Sequence, residues 1–217
     1  MVENLLRKGA ELMPEFQKDR ETMEKALGSE SPSAFFRALR HENRLHARFF
    51  ELEALIGVEQ DPVFHPEGDV WEHTMLVLDT AAQLRKDARK PLEFMLSALC
   101  HDFGKPAAWQ LIDGHIRALG HEKQGIEPAK AFLSRFGYEV DVQDYVANMV
   151  QLHMRPNLLA AQNSGDKAAC RLFRASVCPE DLLLLSKADR TSRPGAVDYT
   201  ETERYLREKL ALFYEKK

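Results

Sequence analysis

The chain has 217 residues, 44% of them hydrophobic, which is enough for one large domain with a sizeable buried core and excludes a disordered chain. A net charge of −4 and a pI near 6.1 exclude broad, non-specific nucleic-acid binding, so any polyanionic ligand must be held locally. No stretch approaches the roughly 18 to 20 apolar residues of a membrane span. Three cysteines without a C-x-x-C pair, in a sequence with no apolar leader, predict a reducing, cytoplasmic setting.

In chain order, residues 2–27 are rich in helix formers and predict a helix interrupted near Pro14. Ser31 as N-cap with Pro32 behind it predicts a second helical region reaching about Leu55. Residues 57–69 carry two prolines and two glycines and predict an ordered loop ending on Asp69 as a cap. In the next helix His73, Leu76, Val77, Thr80, Ala81 and Leu84 share one face, so His73 is expected to point inward. Pro91 opens a helix of near-uniform apolarity that runs into His101, Asp102, Phe103, Gly104 and Lys105. Asp113-Gly114 predicts a small hairpin. A helix is expected from Gly120-His121 to Phe136, stopped by Gly137, and another over Val142 to His153, ended by Pro156. Residues 157–166 read as loop and 167–177 as a short helix. Pro179 starts a helix on which Leu182, Leu185 and Asp189 share a face, and residues 198–215 form a charged final helix. The expected division is a helical extension over 1–30, a central domain over 31–195 and a C-terminal helix over 196–217 packing on it.

An imidazole and a carboxylate side by side at the end of a buried segment need compensation, because burying polar groups without partners is costly. A metal ion takes a neutral ring nitrogen and an ionised carboxylate together. His73, His101, Asp102, His121, His153 and Asp189 are the candidate ligands, each histidine set against the plainer reading of a satisfied core residue. Asp189 stands at a helix C-terminus, where the dipole disfavours a negative charge unless a cation is near. A mixed nitrogen and oxygen set without thiolate suits Mn, Ni, Co, Fe or Mg, as one ion or two, with Asp102 placed to bridge. Such a cation acidifies water and polarises a phosphoryl oxygen. Asp102 and Lys105 are the candidate catalytic residues. Lys105, Arg155 and Arg190 are candidate phosphate contacts, set against ordinary solvated charge. His65 and Glu72 flank His73 and are candidates for orienting it or for proton transfer, with loop packing an equal account of His65. Trp109 suits either stacking on a base or hydrophobic cover. His41, His46 and His115 read as surface residues and Cys100 as core.

His73, then His101-Asp102, then Asp189 resemble the His, His-Asp, Asp pattern of the HD superfamily of metal-dependent phosphohydrolases. That resemblance implies an all-α HD-domain helical bundle with the metal site at its centre, and hydrolysis of phosphomonoesters or phosphodiesters. His121 and His153 resemble the further histidines that help hold a second metal in a subset of the superfamily. The stretch from Phe64 to Thr74, the segment His101 to Lys105, Gly120-His121-Glu122 and Ala188-Asp189-Arg190 are more specifically similar to the HD domain of bacterial CCA-adding tRNA nucleotidyltransferases, over about Ser31 to Gly195. This implies phosphatase or 2′,3′-cyclic phosphodiesterase activity on a phosphorylated small molecule, a nucleotide or an RNA end. Too few residues precede His73 to hold a nucleotidyltransferase domain, and no Gly-Ser is followed by a paired Asp-x-Asp, so CCA addition is not expected. A non-catalytic ligand-binding or signalling module on the same fold is the alternative, and a protein that only binds RNA ends is disfavoured by the acidic balance. No membrane partner is expected.

Overall fold

An apolar stripe on a helix must find something to lie against, and the stripes here find one another in chain order. The computed structural model describes residues 16–195 and 197–216. Helix α1 (residues 16–27) buries Met23 and Leu27. The expected helix before residue 16, with its interruption at Pro14, lies outside the described residues. The next region is three short helices, α2 (Ser33–His41), α3 (Leu45–Arg48) and α4 (Phe50–Glu53), rather than one continuous run. It breaks where Asn43 takes φ 54° and where Phe49 leaves helical geometry. Nor does Ser31 cap α2. The Ser33 N–H and hydroxyl instead donate to the two carboxylate oxygens of Asp79, at 3.0 and 2.6 Å, so the cap is supplied by a distant helix.

Asp69 caps α5 (Val70–Leu84) as its position predicts: one carboxylate oxygen accepts from the Glu72 N–H at 2.9 Å and the other from the Gly57 N–H at 2.7 Å. A 3₁₀ turn over Arg85–Asp87 leads to α6 (Pro91–Cys100), in which every residue from Phe94 to Cys100 is buried. After α7 (Lys105–Ala108) comes an antiparallel hairpin of β1 (Trp109–Ile112) and β2 (His115–Ala118), with Trp109 opposite Ala118 and Ile112 opposite His115. Asp113 and Gly114 form its two-residue turn with φ of 51° and 77°, the left-handed conformation for which the Asp-Gly pair is suited.

The single helix expected from His121 to Phe136 is two, α8 (His121–Gln124) and α9 (Ile126–Arg135). The break at Gly125 has a packing cause, because the backbone at Gly104 lies directly against it. A Cβ on Gly104 would sit 2.1 Å from the His121 carbonyl oxygen and 2.4 Å from the Gly125 nitrogen. Then follow α10 (Val140–Leu152), α11 (Arg155–Ala161), α12 (Asp166–Ala175), α13 (Pro179–Thr191) and α14 (Thr200–Glu215). Helix α11 occupies a stretch expected to be loop: Pro156, in its first turn, lacks the N–H that no helix start can use, so it opens one helix as well as closing another.

Helix α6 packs against α5, α10 and α13, α9 covers α10, and α14 lies along α11 and α12. Three helices, α6, α10 and α13, end in the same neighbourhood, and that convergence builds the site. No helix among the described residues is long and apolar enough to cross a membrane.

Candidate metal centre

His101 immediately follows α6, His153 immediately follows α10, and Asp189 lies in the last turn of α13. The partial negative charge at three such helix ends favours a cation. His73 enters from the first turn of α5, His121 begins α8, and Asp102 follows His101. All six side chains are buried, none more than 6% exposed.

The backbone fixes how the rings are held. The Nδ1–H groups of His101, His121 and His153 donate to the carbonyl oxygens of Ala98, Ala118 and Val150, at 2.9, 2.8 and 2.7 Å. A carbonyl only accepts, so each of these nitrogens carries the proton and each Nε2 is left to face the centre. His73 Nδ1 donates instead to the Glu67 carboxylate at 2.8 Å. The four Nε2 atoms then meet the two aspartates. His73 Nε2 is 3.1 Å from Asp189 Oδ1 and 3.7 Å from Asp102 Oδ2, and His101 Nε2 is 3.2 Å from Asp102 Oδ2. On the other side His121 and His153 Nε2 lie 3.3 and 3.9 Å from Asp102 Oδ1 and 3.4 Å from each other.

Two sets of donor atoms result, His73, His101 and Asp189 in one half-site and Asp102, His121 and His153 in the other, the atoms of each lying within 4.8 Å of one another. Asp102 turns one oxygen toward each half-site. His101 Nε2 and Asp102 Oδ1 are fully buried and have no hydrogen-bond partner among the described residues. Groups approaching this closely without hydrogen-bond alignment fit a shared divalent cation, which takes lone pairs from all of them. Each half-site offers three donor atoms that could hold an ion.

The same crowding moves the ionisation of these side chains. Burial works against the charged form of Asp102, yet the His101 imidazole and Lys105 ammonium outweigh it and hold this carboxyl well below its usual range. Burial likewise opposes Asp189, and His73 and His101 hold it low. Burial also opposes charge on His101 and His121, but Asp102 raises both above the ordinary imidazole value. His153 is pulled down to about 3 by burial and by the two neighbouring histidines. For Glu67, the bonds from His65 and His73 overcome burial and keep it ionised.

The centre opens on two adjoining cavities of about 620 and 500 Å³, the smaller reaching Asp102, His121 and His153. Lys105, Arg117 and Arg193 line both. Lys105 Nζ lies 2.7 Å from Asp102 Oδ2 and donates to Gln60 Oε1 at 2.6 Å, so it is fixed beside the centre. Arg193 donates to the Phe64 carbonyl at 3.1 Å and lies 3.5 Å from Asp189 Oδ1. The larger cavity continues over Val58, Trp109, Met154 and Leu158, an apolar wall beside a cationic one.

A family profile described as the HD domain matches residues 70–193, which contain all six converging residues. The chain belongs to the HD domain family. The chain is also similar to a Multifunctional CCA protein of Actinobacillus pleuropneumoniae (serotype 5b, strain L20), with 31% identity over 199 residues, 88% of this chain and 46% of that protein. Proteins of the same name from Thioalkalivibrio sulfidiphilus and Methylococcus capsulatus are 34% identical over 198 residues, with 85% and 45% of the two chains covered, and 41% over 116, with 52% and 25% covered. The chain thus spans about half the length of the first of these relatives.

Within this HD domain the structure brings together His73, His101, Asp102, His121, His153 and Asp189, and sets Lys105 beside them. Arg190 is exposed and borders the larger cavity, whereas Arg155 is exposed and lines neither. Glu72 does not orient His73. It faces the surface and pairs with Arg37 at 2.7 Å and Arg40 at 3.4 Å, because it lies about 100° round the helix from the buried ring. The carboxylate that does the holding is Glu67, whose same oxygen also accepts from His65 at 2.8 Å. His41 and His46 are exposed as expected; His115 is exposed too, yet it borders the smaller cavity and lies 3.3 Å from Asp61. Trp109 is 39% exposed and donates to the Glu59 carbonyl. Sequence reasoning passed over Gln60, Glu67, Arg117 and Arg193. Only Arg193 carried a signal, its i, i+4 spacing from Asp189.

Proposed function

We propose that this HD domain is a divalent-metal-dependent phosphohydrolase acting on phosphomonoesters or 2′,3′-cyclic phosphodiesters of nucleotides or RNA ends, in a cytoplasmic setting. The observation that carries this reading is the pair of buried acceptors, His101 Nε2 and Asp102 Oδ1, without a hydrogen-bond partner among the described residues, at the point where four imidazoles and two carboxylates converge. His73, His101, Asp102 and Asp189, with His121 and His153, would hold one or two ions of Mn, Ni, Co, Fe or Mg. Bound there, a divalent cation supplies Lewis acidity, acidifying water and neutralising phosphoryl charge.

The chain's own residues supply the rest. Three backbone carbonyls and Glu67 fix the ring tautomers, so no reorganisation is required when charge develops at the centre. Lys105, tethered by Gln60, offers a point cation to a phosphoryl oxygen, and Arg117 and Arg193 extend that cationic wall into the cavities. Arg190 at the rim is a further phosphate contact, while Arg155, lining neither cavity, suits only an extended ligand such as an RNA end. The apolar wall with Trp109 accommodates the organic part of the ester and excludes water from one side. The resemblance to the HD domain of CCA-adding tRNA nucleotidyltransferases, with the similarity to proteins named Multifunctional CCA protein, makes a nucleotide or an RNA end the first substrates to try.

A metal-supplemented screen of phosphomonoesters, 2′,3′-cyclic nucleotides and linear dinucleotides tests the proposal. Turnover of one class is expected, and the variant with both His101→Ala and Asp102→Ala should lose metal and activity together. Turnover unchanged in that variant would refute the assignment. Bound metal without hydrolysis of any class would favour a non-catalytic ligand-binding module instead.

A further inference from the structure

Three of the four central histidines are oriented by backbone, each through the carbonyl three residues earlier, and backbone cannot be tuned by substitution. His73 differs. It sits in the first turn of α5, and its Nδ1–H donates to Glu67, a residue of the 57–69 loop. The Glu67 side chain is 1% exposed and its Oε1 accepts from both His73 and His65, each at 2.8 Å. Its Oε2 is buried and has no hydrogen-bond partner among the described residues. His65 packs edge-on against His73 with ring centroids 4.9 Å apart and lines both cavities.

We infer that Glu67 is a positioning residue that sets the ring orientation and donor strength of His73, and so controls one half-site selectively: that of His73, His101 and Asp189, not that of Asp102, His121 and His153. The physical reason is that an ionised carboxylate accepting an imidazole N–H pushes electron density to the far nitrogen and fixes its direction, whereas a carbonyl does so less strongly. The two half-sites therefore differ in donor strength although both are built from histidine and aspartate. The inference rests on the metal-centre reading above.

The test is titration of the whole, metal-free chain with Mn²⁺ alone, followed by calorimetry and by metal analysis after desalting. Glu67→Gln, which keeps the shape and removes the charge, should weaken uptake of one ion by about 10- to 100-fold and spare the other. Placed in a His121→Asn background, where only the His73 half-site is intact, Glu67→Gln should show the same loss. In an Asp189→Asn background it should change nothing. Equal losses in both backgrounds, or none in either, would overturn the inference. If Glu67→Gln does not give folded protein by circular dichroism, Glu67→Asp, charged but too short to reach both rings, should produce the same selective loss, and unselective loss would again overturn it. An unsubstituted chain that takes up no Mn²⁺ would overturn the metal-centre reading itself, a result separable from failure of the half-site pattern.

Discussion

Gly104 shows how little room this site leaves. Its φ is −85°, an ordinary value for any residue, so the demand for glycine is one of space and not of backbone conformation. A methyl group there would meet the backbone of His121 and Gly125, neither of which can swing aside as a side chain can. Gly104→Ala is therefore expected to cost about 3 kcal/mol or more in urea denaturation. Because the strain falls on the His121 carbonyl, the same variant should also push the start of α8 away from Asp102. Metal analysis should then find the half-site of His121 and His153 emptied first, with the His73 half-site kept. Glu67 acts by charge where Gly104 acts by volume, and the two changes are expected to empty opposite half-sites.

At the scale of elements, the helices that carry the candidate ligands are held by carboxylates reaching from elsewhere. Asp181, fully buried in the first turn of α13, accepts from the Arg89 and Lys90 N–H groups at 2.7 and 3.0 Å and from the Tyr145 hydroxyl at 2.6 Å. It thereby anchors the two residues ahead of α6 to α10, and α6 and α10 are the helices that deliver His101 and His153. Asp181→Ala strands three donors and is expected to cost on the order of 3–5 kcal/mol in denaturant unfolding, with Tyr145→Phe costing about 1–2 kcal/mol. Such links also mark the limit of what sequence reveals. The stripes of His73 and His153 are periodic, the Asp-Gly turn is local, and the Asp69 cap lies next to its helix, so each was legible. The Asp79 cap on Ser33, the Gly104 contact that splits α8 from α9, and the Lys105 tether to Gln60 join residues far apart in the chain and leave no spacing to detect. Glu72, adjacent to His73 in the sequence, faces Arg37, while Glu67, six residues away, holds the ring, because proximity in sequence is not proximity across a helix surface.

For the whole molecule, the buried imidazoles and carboxylates make stability depend on pH in a way that metal should reverse. Without metal, His101 and His121 have pKa values above 6.5, so their contribution is fully present below that value and is lost as pH rises through their folded values. His153, pulled to about 3, acts in the opposite sense: between about 3 and 6.5 the unfolded chain binds a proton that the folded one refuses, so stability falls on acidification. Asp102 and Asp189, held low, contribute above the ordinary carboxylate value of about 3.9 and lose that contribution as pH falls toward their folded values. The chelated protein is therefore expected to have its highest Tm near pH 6.5 and to lose stability on both sides. A cation held there would displace the protons on His101 and His121, so Mn²⁺ uptake should release protons and tighten as pH rises. Stabilisation by a ligand grows with its concentration relative to Kd, and saturating Mn²⁺ should thus abolish the decline between pH 6.5 and 8 while leaving the acid limb in place. Scanning calorimetry across pH 5 to 8, with chelator and with Mn²⁺, measures both limbs. An alkaline decline of the same size in the presence of Mn²⁺ would mean that the protons and the cation do not compete for the same nitrogens.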